Sequence, residues 1–380
     1  MKFTCEKALL EAALAPVSRV VSTKATLPIL ENILVEASAE GVRFAATDLE
    51  IGMKTLVSAK VEESGTTTIP ARVFFDVVTR LNEGTVEIQL EPEHNVIQVK
   101  GEGFQYKFNV IPADGYPVLP ETPKESKITL SQETFKGVLR DTLFAASPPR
   151  EDNPVLTGVL FGFDKEKLTL VALDGYRLAK RTVKIPKNTI VRSLIVPAKA
   201  LIELGKILKD SSDSFEIYLG EHQIVFKLGD TLFFSRLLEG QFPQFEQIIP
   251  EKSETGVKVD KEALLQSLRR ASILAQDRES PRLVKVNLSG NKMVITANTQ
   301  DLGQAYEELK VDNLKKGDKT EVTVAFNAKY LIDALGVLAE EKVRLEFGQP
   351  TSPGVIRPDA GDDFIYVVMP VRTLGELVKV

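Results

Sequence analysis

The feature that most constrains this 380-residue chain is internal duplication. "IPARVFFDVVTRL" from Ile69, "VPAKALIELGKIL" from Val196 and "FNAKYLIDALGVL" from Phe326 superpose without gaps. Ala71, Ala198 and Ala328 coincide, followed by the bases Arg72, Lys199 and Lys329 and the acids Asp76, Glu203 and Asp333. Other landmarks keep the register: "DGYP" at 114–117 matches "GQFP" at 240–243. "AATDLEIGMKT" from Ala45 matches "VALDGYRLAKRT" from Val171, and a degenerate third copy reads "TANTQDLGQAYEEL" from Thr296. Fixed-period self-similarity of this kind means serial copies of one structural unit. The chain is too long for one comfortable core. Three units are expected, over 1–122, 123–251 and 252–380. Pro-rich "LPETPKES" (119–126) and "IIPEKSETG" (248–256) read as linkers.

Each copy is expected to open with a helix. Leu10, Ala13, Leu14 and Val17 recur at helical spacing, as do Phe135, Val138, Leu139 and Thr142, and Leu264, Ser267, Leu268 and Ala271. Pro16 should end or kink the first of these. A second helix starts at Ala71, Ala198 and Ala328, with Asn327 a good N-cap. Alternating segments such as "TVEIQLE" (85–91), "FEIYLG" (215–220) and "KMVITAN" (292–298) read as strands. The fold class is α+β, with antiparallel strands and the helices on one side of the sheet.

The cluster Asp174, Tyr176 and Arg177, on a Gly175 bend, resembles a catalytic turn. Its twin at Asp48 argues otherwise, because an Asp repeated at such a corner caps the turn through its own backbone. No nucleophile–base set and no Gly-rich phosphate loop is present. Only Cys5, His94 and His222 could supply soft or imidazole ligands, so no metal site, cofactor or disulfide is expected. The N-terminal segment does not read as a signal peptide and no apolar run is long enough to span a membrane, so a cytoplasmic protein is expected.

The net charge of −5 argues against a nucleic-acid ligand only if the charge is evenly spread. Basic residues recur on the helices: Lys7, Arg19, Arg72, Arg80, Lys136, Arg140, Lys199, Lys206, Lys209, Lys261, Arg269 and Arg270. They are either a solvated face with i, i+4 ion pairs or a lining turned toward one polyanion through phosphate contacts.

The segments "MKFTCEKALL", "TLPILENILVEA", "ATDLEIGM", "LDGYRLA", "LLEGQFPQFEQIIP" and "YVVMPVR" closely resemble the bacterial β sliding clamps, the processivity subunits of DNA polymerase III. The likeness spans the chain. It implies three clamp domains per chain and a head-to-tail homodimeric ring, with twelve helices lining a hole around double-stranded DNA of any sequence. It also implies a non-catalytic hub for short peptides of the polymerase catalytic subunit, the clamp loader and repair proteins. Any polymerase or exonuclease activity then comes by association.

Carried over residue by residue, the resemblance implies a peptide pocket of Leu156, Leu173, Gly175, Tyr176, Arg177, Leu178, Pro243, Gln247, Ile248, Asn327, Tyr330, Val367, Val368, Met369, Pro370, Val371 and Arg372. It implies DNA contacts from Lys24, Arg150 and Lys199, to which the helical bases Arg72, Arg80, Lys136, Arg140 and Lys206 add. Tyr106 and Phe108 of one subunit are expected against Ile273 and Leu274 of the other. Tyr176 and Gln247 depart from the family's usual His and basic residue, so peptide preference is expected to differ. The tail "TLGELVKV" (373–380) either frays or docks Leu374, Leu377 and Val378 near the pocket in competition with peptides. An acid–base enzyme and a protein-only scaffold are the rival readings.

Overall fold

The computed structural model describes residues 1–22, 27–123, 127–149, 153–275, 282–299, 302–314 and 321–371. Six helices match the repeat: α1 (Lys7–Val17), α2 (Ala71–Val78), α3 (Gln132–Leu143), α4 (Ala198–Ile207), α5 (Lys261–Ile273) and α6 (Ala328–Val337). The expected apolar stripes face inward: Leu10, Ala13, Leu14 and Val17 are buried on α1, and Leu264, Ser267, Leu268 and Ala271 on α5. Helix α1 ends one residue after Pro16. Asp260 caps α5 by accepting from the Ala263 N–H at 2.7 Å. Asn327 caps α6 by accepting from the Lys329 N–H at 3.0 Å.

Three expectations are corrected. A short strand precedes the first helix of every repeat, at Lys2–Glu6, Lys127–Ser131 and Thr255–Asp260. Lys7 is not on an outer face: it is 7% exposed and pairs with Glu11 and Glu83. The 119–126 and 248–256 segments are not loose where they are described. Leu119 is buried beside Leu34 and Tyr116, Lys54 Nζ donates to the Leu119 and Pro120 carbonyls, and Ile248 and Ile249 pack on an apolar cluster.

Sheets are shared between repeats, and by compactness the chain falls into two units. Unit one comprises Met1–Phe135 with Lys199–Leu237, and unit two Lys136–Ala198 with Leu238–Val380. In unit one, the last strand of the second repeat, Thr231–Arg236, pairs with the first repeat's Ile51–Val57, completing an eight-stranded sheet. In unit two, the last strand of the third repeat, Phe364–Val368, pairs with the second repeat's Arg177–Lys184 in a nine-stranded sheet. Each unit has a second sheet, of five and four strands respectively, and all pairings among the described residues are antiparallel. Rings pack the helices onto these sheets; Phe135 meets Phe215 at 5.2 Å and Phe226 at 5.8 Å between centroids.

Candidate peptide groove and basic helices

The groove is built on the hairpin Lys167–Leu173 and Arg177–Lys184 of unit two. Asp174 Oδ1 accepts from the Tyr176 and Arg177 N–H groups at 2.9 and 3.0 Å, and Gly175 takes φ +91°, a left-handed conformation that glycine adopts without strain. Asp48 makes the same turn in unit one, accepting from Glu50 and Ile51. Asp174 Oδ2 accepts from Arg177 Nε at 2.9 Å. With both oxygens so occupied, Asp174 shapes the backbone and holds a side chain, which is architecture and not proton transfer.

Arg177 ties this turn to α6. Its Nη1 donates to Asp333 Oδ2 at 2.7 Å, and the guanidinium lies 4.4 Å above the Tyr330 ring and 5.7 Å from that of Phe144. Burial alone would lower its pKa, but the hydrogen bond it donates to Asp333, the neighbouring Tyr366 and the charge and hydrogen bond of Asp174 outweigh that, and the pKa is raised. Tyr366 donates to the Tyr330 carbonyl at 2.8 Å. Burial, opposed by the neighbouring Arg177, drives its pKa far above the ordinary phenol value. This rigid base leaves one side of the hairpin apolar.

There Leu173, Gly175, Tyr176, Arg177, Leu178, Ile248, Val367 and Met369 line an open cleft. Leu178 sits opposite Val367 in the ladder, and the Met369 N–H donates to the Tyr176 carbonyl at 2.8 Å, which closes one end. Tyr176 is 56% and Met369 37% exposed, so the rim is open and its methionine adaptable. All eight lining residues belong to the set expected from sequence.

Other members of that set stand elsewhere. Val368, next along the strand, points the opposite way into the third-repeat core with Leu264, Phe326 and Phe347. Asn327 caps α6, and Tyr330 supports Arg177. Gln247 is exposed and donates to Gln244 at 2.6 Å; Pro243 and Pro370 are half-buried. The Val371 N–H donates to the Ala325 carbonyl, and Leu156 packs on the cluster beneath the cleft. That cluster also holds Phe242, Phe245, Ile249, Val355 and Ile365, which sequence reasoning missed. The alignment of "GQFP" with "DGYP" carried the signal for Phe242; the others depend on sheet pairing between repeats. Arg372 and the tail 373–380 lie outside the described residues.

Among the expected DNA contacts, Lys24 and Arg150 also lie outside the described residues. Arg72, Arg80, Arg140, Lys199 and Lys206 are exposed, and Lys136 is half-buried. Four of them sit beside carboxylates: Arg80 with Asp76 at 3.6 Å, Arg140 with Asp141 at 3.2 Å, Lys199 with Asp48 at 2.8 Å and Lys206 with Glu203 at 2.6 Å. The hydrogen bond that Lys199 donates to Asp48 leads the causes that raise its pKa. Only the Arg80–Asp76 pair is exposed on both sides, and such a pair contributes within about 1 kcal/mol; Asp141, Asp48 and Glu203 are 9%, 11% and 19% exposed.

Tyr106 is 42% exposed on the edge strand Phe104–Asn109. Phe108, two residues on, is only 8% exposed and stacks edge-to-face on Phe74 at 5.6 Å within its own repeat. Ile273 is 62% exposed at the end of α5, and Leu274 is half-buried as its C-cap. Among the described residues no cluster of three or more His, Cys, Asp or Glu could hold a metal, and no helix is long and apolar enough to cross a membrane.

Comparison with known proteins agrees with this architecture. Residues 1–120, 129–244 and 246–372 match the family models for the N-terminal, central and C-terminal domains of the DNA polymerase III beta subunit. The beta sliding clamp of Bacillus subtilis is 32% identical over 98% of this chain and all of its own. That of Staphylococcus aureus is 28% identical over the same shares. The crystal structure of the B. subtilis clamp superposes with a TM-score of 0.93 at 32% identity, covering 98% of this chain and 99% of its own. The Pseudomonas aeruginosa clamp bound to griselimycin gives 0.91 at 30% identity, covering 98% of this chain and all of its own. With a sheet shared between each successive pair of repeats, a turn built for structure and a family match in all three repeats, this chain belongs to the DNA polymerase III β subunit family, the β sliding clamps.

Proposed function

We propose that two copies of this chain close head to tail into a ring around double-stranded DNA. In this reading the ring is a non-catalytic processivity factor in the cytoplasm, and the cleft at Leu178 and Met369 takes short peptides of the polymerase, clamp loader and repair proteins. The observation that carries the reading is a pairing rule. The last strand of repeat two joins the Ile51–Val57 strand of repeat one, and the last strand of repeat three joins the equivalent Arg177–Lys184 of repeat two. One strand of each type is left over: the last of repeat one, Phe104–Asn109, and its complement in repeat three, Gly303–Lys310. Both lie at sheet edges.

Unpaired edges are templates for another chain, and a heterologous contact whose rotation closes makes a ring. The register follows from the existing ladders. Phe233 faces Met53 and Phe234 faces Gly52; Tyr106 and Lys107 stand where Phe233 and Phe234 do, and Ala305 and Gln304 where Met53 and Gly52 do, so Tyr106 should face Ala305 of the second copy and Lys107 should face Gln304. Each joint would merge the five-stranded sheet of one copy with the four-stranded sheet of the other, and two such joints close three repeats from each copy into a ring. The exposed helical bases then supply weak, sequence-independent attraction to phosphates, which lets an enclosing protein slide. Domain limits near residues 122 and 251 follow the repeat and not the two compact units.

The test is topological. Loaded onto nicked circular DNA, the protein should remain bound through gel filtration and be released when the circle is linearised. Retention on linear DNA at the same level would refute enclosure. A strict monomer by light scattering would refute the ring. Griselimycin, the ligand of the Pseudomonas relative, serves as a probe for the cleft, and its binding should be lost in Leu178→Asp.

A further inference from the structure

We propose that the chain carries a second copy of the peptide groove in unit one, kept shut by the Phe234 ring over Gly52. This rests on the groove reading of the Leu178–Val367 site. The two apolar clusters are the same object built twice. Ala45, Tyr116, Val225 and Leu232 stand where unit two has Val171, Phe242, Val355 and Ile365. The pairing agrees: Val225 faces Phe234 and Phe234 faces Gly52, as Val355 faces Val367 and Val367 faces Leu178.

The difference lies in one cross-strand pair. Unit two fills the position with Leu and Val, two medium side chains that share the space and leave a cleft above them. Unit one assigns it to a glycine and a phenylalanine. The ring lies across the glycine so closely that any side chain begun at Gly52 would run into it, and Phe234 is 6% exposed. Gly52 is therefore glycine because the ring needs the room, and the groove is closed by a side chain of its own sheet.

The neighbouring positions have followed. Thr47 replaces Leu173 and spends its hydroxyl on the Ile51 carbonyl at 2.7 Å. Glu50 replaces Tyr176, and Thr122 replaces Ile248. A groove reopened here would be more polar on its walls and should bind the same ligand more weakly. One consequence is a ring with two peptide sites rather than four, which sets how many partners compete on one clamp.

The experiment exchanges the pair in both directions in the full-length dimer and counts bound griselimycin by native mass spectrometry. The wild type should carry one ligand per chain. Gly52→Leu with Phe234→Val should carry two, the second weaker. Leu178→Gly with Val367→Phe should lose at least a hundred-fold in affinity while keeping the dimer mass and a cooperative melt. One ligand on the wild type and on both folded double variants overturns this inference alone. No ligand on the wild type overturns the groove reading as well.

Discussion

Arg177 reaches from the turn of the second repeat to Asp333 on α6 of the third, with Nη1 at 2.7 Å from Oδ2. Its side chain is 9% exposed, and Asp174 holds Nε on the other side. The pair fixes the sheet joint on which the cleft sits. Arg177→Ala leaves two carboxylates without their buried partner, and a loss of about 3 kcal/mol is expected. Equilibrium denaturation would show it. Arg177→Lys should not restore it, because an ammonium cannot fork to Asp174 and Asp333 while stacking on Tyr330. Full stability in the Lys variant would contradict this account.

The proposed register between copies can be trapped covalently. Residues directly opposite on antiparallel strands have Cβ atoms about 4.5–5.5 Å apart. Tyr106→Cys with Ala305→Cys should therefore give a disulfide-linked species under mild oxidation. Tyr106→Cys with Leu309→Cys, four residues along the same face of the strand, should not. Equal cross-linking of both would remove the register argument.

The helical bases should act on DNA additively and without sequence preference. Taking one basic side chain away from the phosphates lowers the slope of log affinity against log salt by about 0.9. Arg72→Ala with Lys206→Ala takes two basic side chains from each copy of the ring, so it should flatten that slope by about four such steps and leave the dimer mass unchanged. An unaltered slope would show that these side chains never meet the duplex.

Cys5 gives a probe of the folded state. It is 5% exposed, and burial first, then the Glu6 charge, pushes its thiol up to about 11. At pH 8 a thiol reagent should leave the folded protein unlabelled and react only as it unfolds. Because the folded pKa is the higher one, the protonated thiol's stabilising contribution is complete below the unfolded pKa and fades as pH climbs toward 11. Rapid labelling of the native protein at pH 8 would contradict the burial.

The local elements were legible in the sequence because each is specified by neighbours. The stripe Leu10, Ala13, Leu14 and Val17, the Asn327 cap and the Asp174 turn need only a few residues of context, and the duplication showed that the Asp174 turn is structural. The eight cleft residues were reached through family resemblance, since singly each reads as plain core.

Only the tertiary structure decided how the copies are joined. Pairing Thr231–Arg236 with Ile51–Val57 brings together residues about 180 apart in sequence, and periodicity along one strand carries no information about its partner. That one non-local choice makes two compact units out of three repeats and buries Leu119 and Ile248 in segments that read as linkers. It also lays Phe234 on Gly52 in one joint while leaving Leu178 and Val367 beneath an open cleft in the other. The sequence set the side chains of each copy, and the pairing between copies decided which of them meet: phenylalanine over glycine in one joint, valine beside leucine in the other.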